Sequence, residues 1–178
     1  MAKAHLTFAG FADDEGESAQ RWTTLKAAMG NRLFRWASGA TDANVIKQIP
    51  EQQLDALITG VGADVSAERR LTLAIRLGIE DRTLEAIKAG AAAQSVSLRD
   101  LIIAAASGSN DGAPDADAEK TWKKHGARWF KSVEGGRKLA EQMFARGAWP
   151  ALKPQLLPFV NAVRAELGQP TVQDVPHE

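Results

Sequence analysis

Cysteine and tyrosine are both absent from the 178 residues of this chain. Without a thiol there is no disulfide, no cysteine nucleophile and no thiolate metal site. No apolar run approaches the ~20 residues that a membrane-crossing helix needs. The first residues reach Asp13 before any long apolar stretch, which does not read as a secretory signal. Histidine is scarce: His5, His125 and His177 lie far apart, and no His/carboxylate pair has metal-ligand spacing. A Walker-type phosphate loop is missing. Gly60-Val61-Gly62 lacks the third glycine and the preceding strand of a dinucleotide turn, and reads as a helix stop. Lys+Arg and Asp+Glu both number 22, so only the distribution of charge can speak for or against nucleic acid. These absences predict a cytoplasmic protein that is not an enzyme and uses no cofactor, metal or membrane.

What is present leans helical, because alanine is abundant. Residues 1–66 read as an N-terminal helical block with one short strand at Leu6–Phe11. An acidic solvated loop (Asp13, Asp14, Glu15, Glu17) follows. Ser18 then caps a helix carrying Trp22, Leu25, Met29, Leu33 and Trp36, and Asp42 caps a second. Pro50 opens a third with Leu54, Leu57 and Ile58 on one face. Residues 107–117, rich in Gly, Ser, Asn and Asp, read as a flexible linker. A basic and aromatic helical block spans 118–168, broken at Gly135-Gly136, with Pro154 and Pro158 confining its last helix to the later residues. Residues 169–178 read as a disordered tail.

The middle segment, 67–106, carries the strongest pattern. In Leu71-Thr72-Leu73-Ala74-Ile75-Arg76-Leu77-Gly78-Ile79 every second residue is a branched apolar one. Period two is the mark of a half-buried strand. A 3.6-residue period would spread these five apolar residues almost around a cylinder. The competing reading is a buried helix, since Leu71, Ala74, Ile75 and Gly78 can share a helical face. The strand reading places Arg70, Thr72, Ala74 and Arg76 outward. It also demands a partner strand, most simply from a second copy. Two helices follow, the first with Leu84, Ile87 and Ala91 inward, the second capped by Ser97 with Leu98, Leu101, Ile102 and Ala105 inward.

Arg70–Leu77, then Leu84-Glu85-Ala86-Ile87, then Ser95–Ile102 resemble, in order and spacing, the ribbon-helix-helix superfamily of DNA-binding proteins. The fold class expected is therefore mainly α, with a ribbon-helix-helix-like centre flanked by small helical blocks. Gln94-Ser95-Val96 stands where the family commonly has glycine. The resemblance implies a homodimer whose paired strands enter the major groove of double-stranded DNA, with Arg70, Thr72 and Arg76 on the reading face. It also implies a phosphate held at the second helix by the amides around Ser97 and Leu98, with Arg99 assisting. A second candidate comes from the residues alone. Lys120, Lys124, Arg128 and Lys131 fall at i, i+4, i+8 and i+11 of a helix predicted over 118–131, a stripe able to neutralise phosphates. Opposite it, Trp122 and Trp129 read as core anchors. Two functions follow from this reading. One is a homodimeric DNA-binding repressor, or an accessory factor of plasmid partition or transfer, with a protein partner on the flanking helices. The other is a helical interaction or scaffold subunit of a larger assembly.

Overall fold

The computed structural model describes residues 9–14 and 20–175, and these are mainly α-helical. Among them the elements run β1 (Gly10–Ala12), α1 (Gln20–Met29), β2 (Leu33–Arg35), α2 (Thr41–Gln48), α3 (Leu54–Thr59), α4 (Ala63–Leu77), α5 (Leu84–Ala93), α6 (Leu98–Ser107), α7 (Ala116–Lys123), α8 (Val133–Ala145) and α9 (Trp149–Glu166). The chain divides into two compact units, residues 1–44 with 149–178, and Val45–Ala148. The expected divisions at 66/67 and 107–117 both fall inside the second unit.

In the first unit β1 and β2 pair in parallel, Phe11 opposite Phe34, with α1 as the crossover. Leu33 and Trp36 thus belong to a strand and its exit, not to the first helix. The proposed cap Ser18 and residues 6–8 of the expected strand lie outside the described residues, while Gly10 and Phe11 belong to β1. Phe159 of α9 meets both Phe11 (5.6 Å) and Phe34 (5.8 Å) edge-on. Trp36 is fully buried and donates from Nε1 to the Thr41 hydroxyl, which in turn donates to Asp13.

Helix α9 runs unbroken through Pro154 and Pro158. Pro150, Pro154 and Pro158 are four apart and all exposed. The carbonyls that lose their intrahelical donors to these prolines therefore face water, which can satisfy them. Residues 169–175 are tied back to α9. Val172 and Asn161 exchange two hydrogen bonds, and Asp174 accepts from Trp149 Nε1 and pairs with Lys153.

In the second unit the alternating stretch is a helix. Residues 71–77 continue α4, and Gly78 closes it in the left-handed conformation (φ 65°). Ile79 N–H reaches back to the Ala74 carbonyl and Gly78 N–H to that of Ile75, the hydrogen bonds of a Schellman stop. The β-ribbon expected here is thus corrected, and with it the outward face of Thr72 and Arg76. The physical reason is position. Helix α4 packs against α3, α5, α6 and the segment after α7. A helix packed on several sides has a wide inward face that takes in polar as well as apolar positions. Ser66, Arg69, Thr72, Leu73, Ala74, Arg76 and Leu77 are all buried. Of the alternating apolar residues on this helix, Leu73 and Leu77 are buried, Leu71 is half-buried and Ile75 is exposed, while Thr72 and Arg76 between them are buried.

Helix α6 begins where expected, at the Ser97 cap. Helix α5 starts at the Thr83 cap, slightly later than expected. The helix predicted over 118–131 is shorter: α7 ends at Lys123, and a 3-10 turn, His125–Arg128, bends the chain. Gly135-Gly136 does not break a helix but lies in the first turn of α8, capped by Ser132. A Cβ on Gly135 would sit 2.8 Å from the Phe130 backbone, so only glycine permits this approach.

Candidate functional site

The densest group of polar and aromatic side chains in the Val45–Ala148 unit lies along one face of α4. Arg69, Thr72 and Arg76 are spaced by three and four, so they align on that face. All three are buried. The hook from Trp122 to Phe130 covers them.

Each side chain has defined partners. The Arg76 guanidinium lies 4.7 Å from the centre of the Trp122 ring. It donates from Nε to His125 Nδ1 (3.1 Å) and from Nη2 to the carbonyls of Ser109 (2.7 Å) and Trp122 (3.3 Å). Arg69 lies 4.8 Å from the Trp129 ring and 4.9 Å from the Phe130 ring, and donates to the Leu57 carbonyl. Thr72 accepts from Trp129 Nε1 (2.9 Å) and donates to the Arg69 carbonyl (2.8 Å). Residues 107–117 take part as well. The Ser109 carbonyl is an Arg76 acceptor, and Asn110 donates to Glu119. That segment is a fixed connection rather than a free linker.

Burial has electrostatic consequences. Desolvation lowers the Arg69 and Arg76 pKa values to about 10, and both remain charged at neutral pH. His125 is 3% exposed. Desolvation first, and the neighbouring Arg76 charge second, lower its pKa to about 4, so the imidazole is neutral near pH 7. An arginine Nε can only donate. The neutral ring therefore carries its proton on Nε2, a buried atom with no acceptor.

The residues expected to touch DNA are scattered by this fold. Thr72 and Arg76 are interior. Arg99 binds the carbonyls of Ile46 (2.7 Å), Lys47 (3.1 Å) and Ile49 (2.6 Å) at the end of α2, and pairs with Glu51. Its donors complete a helix C-terminus instead of receiving a phosphate. The Ser97 hydroxyl is engaged with Asp100, whose carboxylate already occupies the positive end of α6. Leu98 is half-buried beside it. Arg128 pairs with Glu68. Lys120 is exposed on α7, Lys124 caps that helix, and Lys131 follows the bend, so they form no single helical stripe. Arg70 alone keeps a half-open place on α4.

The sequence pattern marks Arg76, Trp122 and Trp129 but not Arg69 or the inward hook that joins them. The signal was available: Arg69, Thr72 and Arg76 share a helical face, and Trp122 and Trp129 are seven apart. Among the described residues no group of three His, Asp or Glu side chains could hold a metal, and no helix is long and apolar enough to cross a membrane. Comparison with known proteins finds no matching family model, no matching curated protein and no matching solved structure.

Proposed function

We propose that the chain is a helical interaction subunit that docks on another protein. The observation that carries this reading is the direction of its reactive side chains. Arg69, Thr72, Arg76, Trp122, His125 and Trp129 all turn inward and tie the hook to α4. Groups held this way support architecture rather than reaction, and binding is left to the surface. Beside the hook, Ile75, Leu77, Pro114 and Trp122 line a groove of about 320 Å³. Ile75 is 41% exposed there. A concave apolar surface of this size suits one anchoring apolar side chain of a protein partner.

The test is a photo-crosslinking residue at position 75 of the full chain in its host cell. A discrete polypeptide adduct is expected. The purified partner should then bind wild type and lose at least about tenfold affinity to Ile75→Asp, with the unfolding midpoint of that variant unchanged. A nuclease-sensitive adduct, or binding indifferent to Ile75→Asp, overturns the reading.

A second reading, contact with nucleic-acid phosphates, is favoured by Lys120, Lys123 and Lys124, which are exposed and hold no ion pair among the described residues. It rests on that segment and not on a ribbon. If it holds, the slope of log affinity against log salt is reduced by about 2 in the double variant Lys120→Gln/Lys124→Gln. An unchanged slope assigns these lysines to solvent.

A further inference from the structure

The Schellman stop at Gly78 turns the chain back along α4, so residues 81–83 lie beside the helix about two to three turns before its end. Ala67 and Arg70 from α4 and Asp81, Arg82 and Thr83 from the returning loop line one groove of about 290 Å³. We propose that this groove binds a phosphate group between Arg70 and Arg82.

Two features of the arginines carry the proposal. Neither the half-buried Arg70 nor the exposed Arg82 makes a hydrogen bond or ion pair with any described residue, whereas Arg99 and Arg146, half-buried like Arg70, are engaged. Arg70 Nε is moreover shielded from solvent with no acceptor, although the rest of its side chain is half-open. A shielded guanidinium donor without an acceptor is costly. An oxyanion entering from the open side supplies one. Two guanidinium forks match the several oxygens of a phosphate better than the two of a carboxylate.

The surroundings fit. Ala67, one turn before Arg70, is short and leaves the floor open. Thr83 is the N-cap of the ten-residue α5 and lines the same groove, so the positive end of that helix lies beside the arginines. Asp81 opposes an anion. Its carboxylate is partly satisfied by the Thr83 N–H (2.8 Å). Glu80 and Glu85 are exposed and do not line the groove. The proposal is independent of the protein-docking reading, which concerns a different groove.

The experiment is calorimetric titration of the full chain with sodium phosphate at neutral pH, against sodium chloride of matched ionic strength. One saturable site is expected. Arg70→Gln and Arg82→Gln should each weaken it about tenfold, the worth of one charge-assisted hydrogen bond. Asp81→Asn keeps the acceptor for Thr83 but removes the opposing charge, and should tighten binding severalfold. Lys120→Gln should leave it unchanged. Phosphate should raise the unfolding midpoint of wild type but not of the two arginine variants, whose midpoints in chloride should match wild type. Absence of saturable heat, or affinity indifferent to all three groove variants, overturns the proposal. A short DNA duplex that displaces phosphate identifies a backbone phosphodiester as the source. A duplex that leaves phosphate bound identifies a free phosphate group.

Discussion

Replacing Arg76 with alanine should destabilise the Val45–Ala148 unit by about 4 kcal/mol, enough to unfold a marginal domain. Three acceptors lose their donor together: His125 Nδ1 and the carbonyls of Ser109 and Trp122. Each acceptor left buried and unpaired costs about 1–3 kcal/mol, and relaxation recovers part of the sum. The stacking of the guanidinium on Trp122 is lost as well. Equilibrium urea unfolding gives the result directly, as a lowered midpoint at constant slope. Lys120→Ala, on the exposed face of α7, should change stability by no more than about 0.5 kcal/mol. A loss below about 1 kcal/mol for Arg76→Ala would mean that the hook is not fastened through this residue. The comparison also separates the two histories of Arg76. A groove-reading arginine would cost binding and spare stability, whereas an interior one costs stability first.

Lowering the pH from 7 to 4 should cost the same unit up to about 3 kcal/mol through His125 alone. Its folded pKa is about 4 against an ordinary 6.5, and each unit of difference is worth about 1.4 kcal/mol. The folded state therefore binds fewer protons than the unfolded state between these two values, and stability falls as pH falls through that window. Above pH 6.5 the contribution is complete, and below pH 4 no more is lost. The atomic cause is specific. The incoming proton belongs on Nδ1, the atom that accepts from Arg76 Nε at 3.1 Å. Protonation removes that acceptor and sets a second cation beside the first. Asparagine at this position offers an acceptor oxygen but does not titrate. His125→Asn should therefore flatten the dependence of the unfolding midpoint on pH between 4 and 6.5. An equal slope in both proteins would place the acid sensitivity elsewhere.

Local signals in the sequence survive in the structure wherever the determining contacts are also local. Ser97 accepts from Asp100 N–H and starts α6, as its spacing predicts. Leu54, Leu57 and Ile58 are fully buried on α3, and Gly60 and Gly62 separate that helix from α4. Trp122 and Trp129 are core anchors, 7% and 4% exposed. The misreading of residues 71–79 has a different origin. On α4 the apolar residues of the alternating stretch point to both faces, Leu73 and Leu77 inward and Ile75 outward, and the inward places between them are taken by Thr72 and Arg76 with long-range partners that a linear pattern does not show. Leu77-Gly78-Ile79 carried the correction, since an apolar-Gly-apolar end is a Schellman signature. The Gly135-Gly136 pair misleads because Gly135 serves a close approach to the backbone of Phe130, five residues earlier, rather than a helix end. The contacts of residues 172 and 174 are made with Asn161 and Trp149, which no local pattern announces.

The candidate sites were less legible than the fold, for the same reason. Arg76 and Arg99 look like surface cations in a linear reading. One lies against a tryptophan ring and the other closes the end of α2. Of the three arginines on α4, Arg69 and Arg76 are buried and Arg70 is half-open, and its companion Arg82 is contributed by a loop that the sequence pattern does not mark.

Residue-by-residue NMR of the full chain tests the central claim, that residues 63–77 are one interior helix with Arg76 fastened to His125. The account predicts helical carbon shifts without interruption from Ala63 to Leu77, slow amide exchange at Leu73, Ala74 and Leu77, and a scalar or nuclear Overhauser link between the Arg76 Nε–H and the His125 ring. Extended shifts over 71–79, with exchange protection at alternate residues and twice the monomer mass in solution, would contradict it.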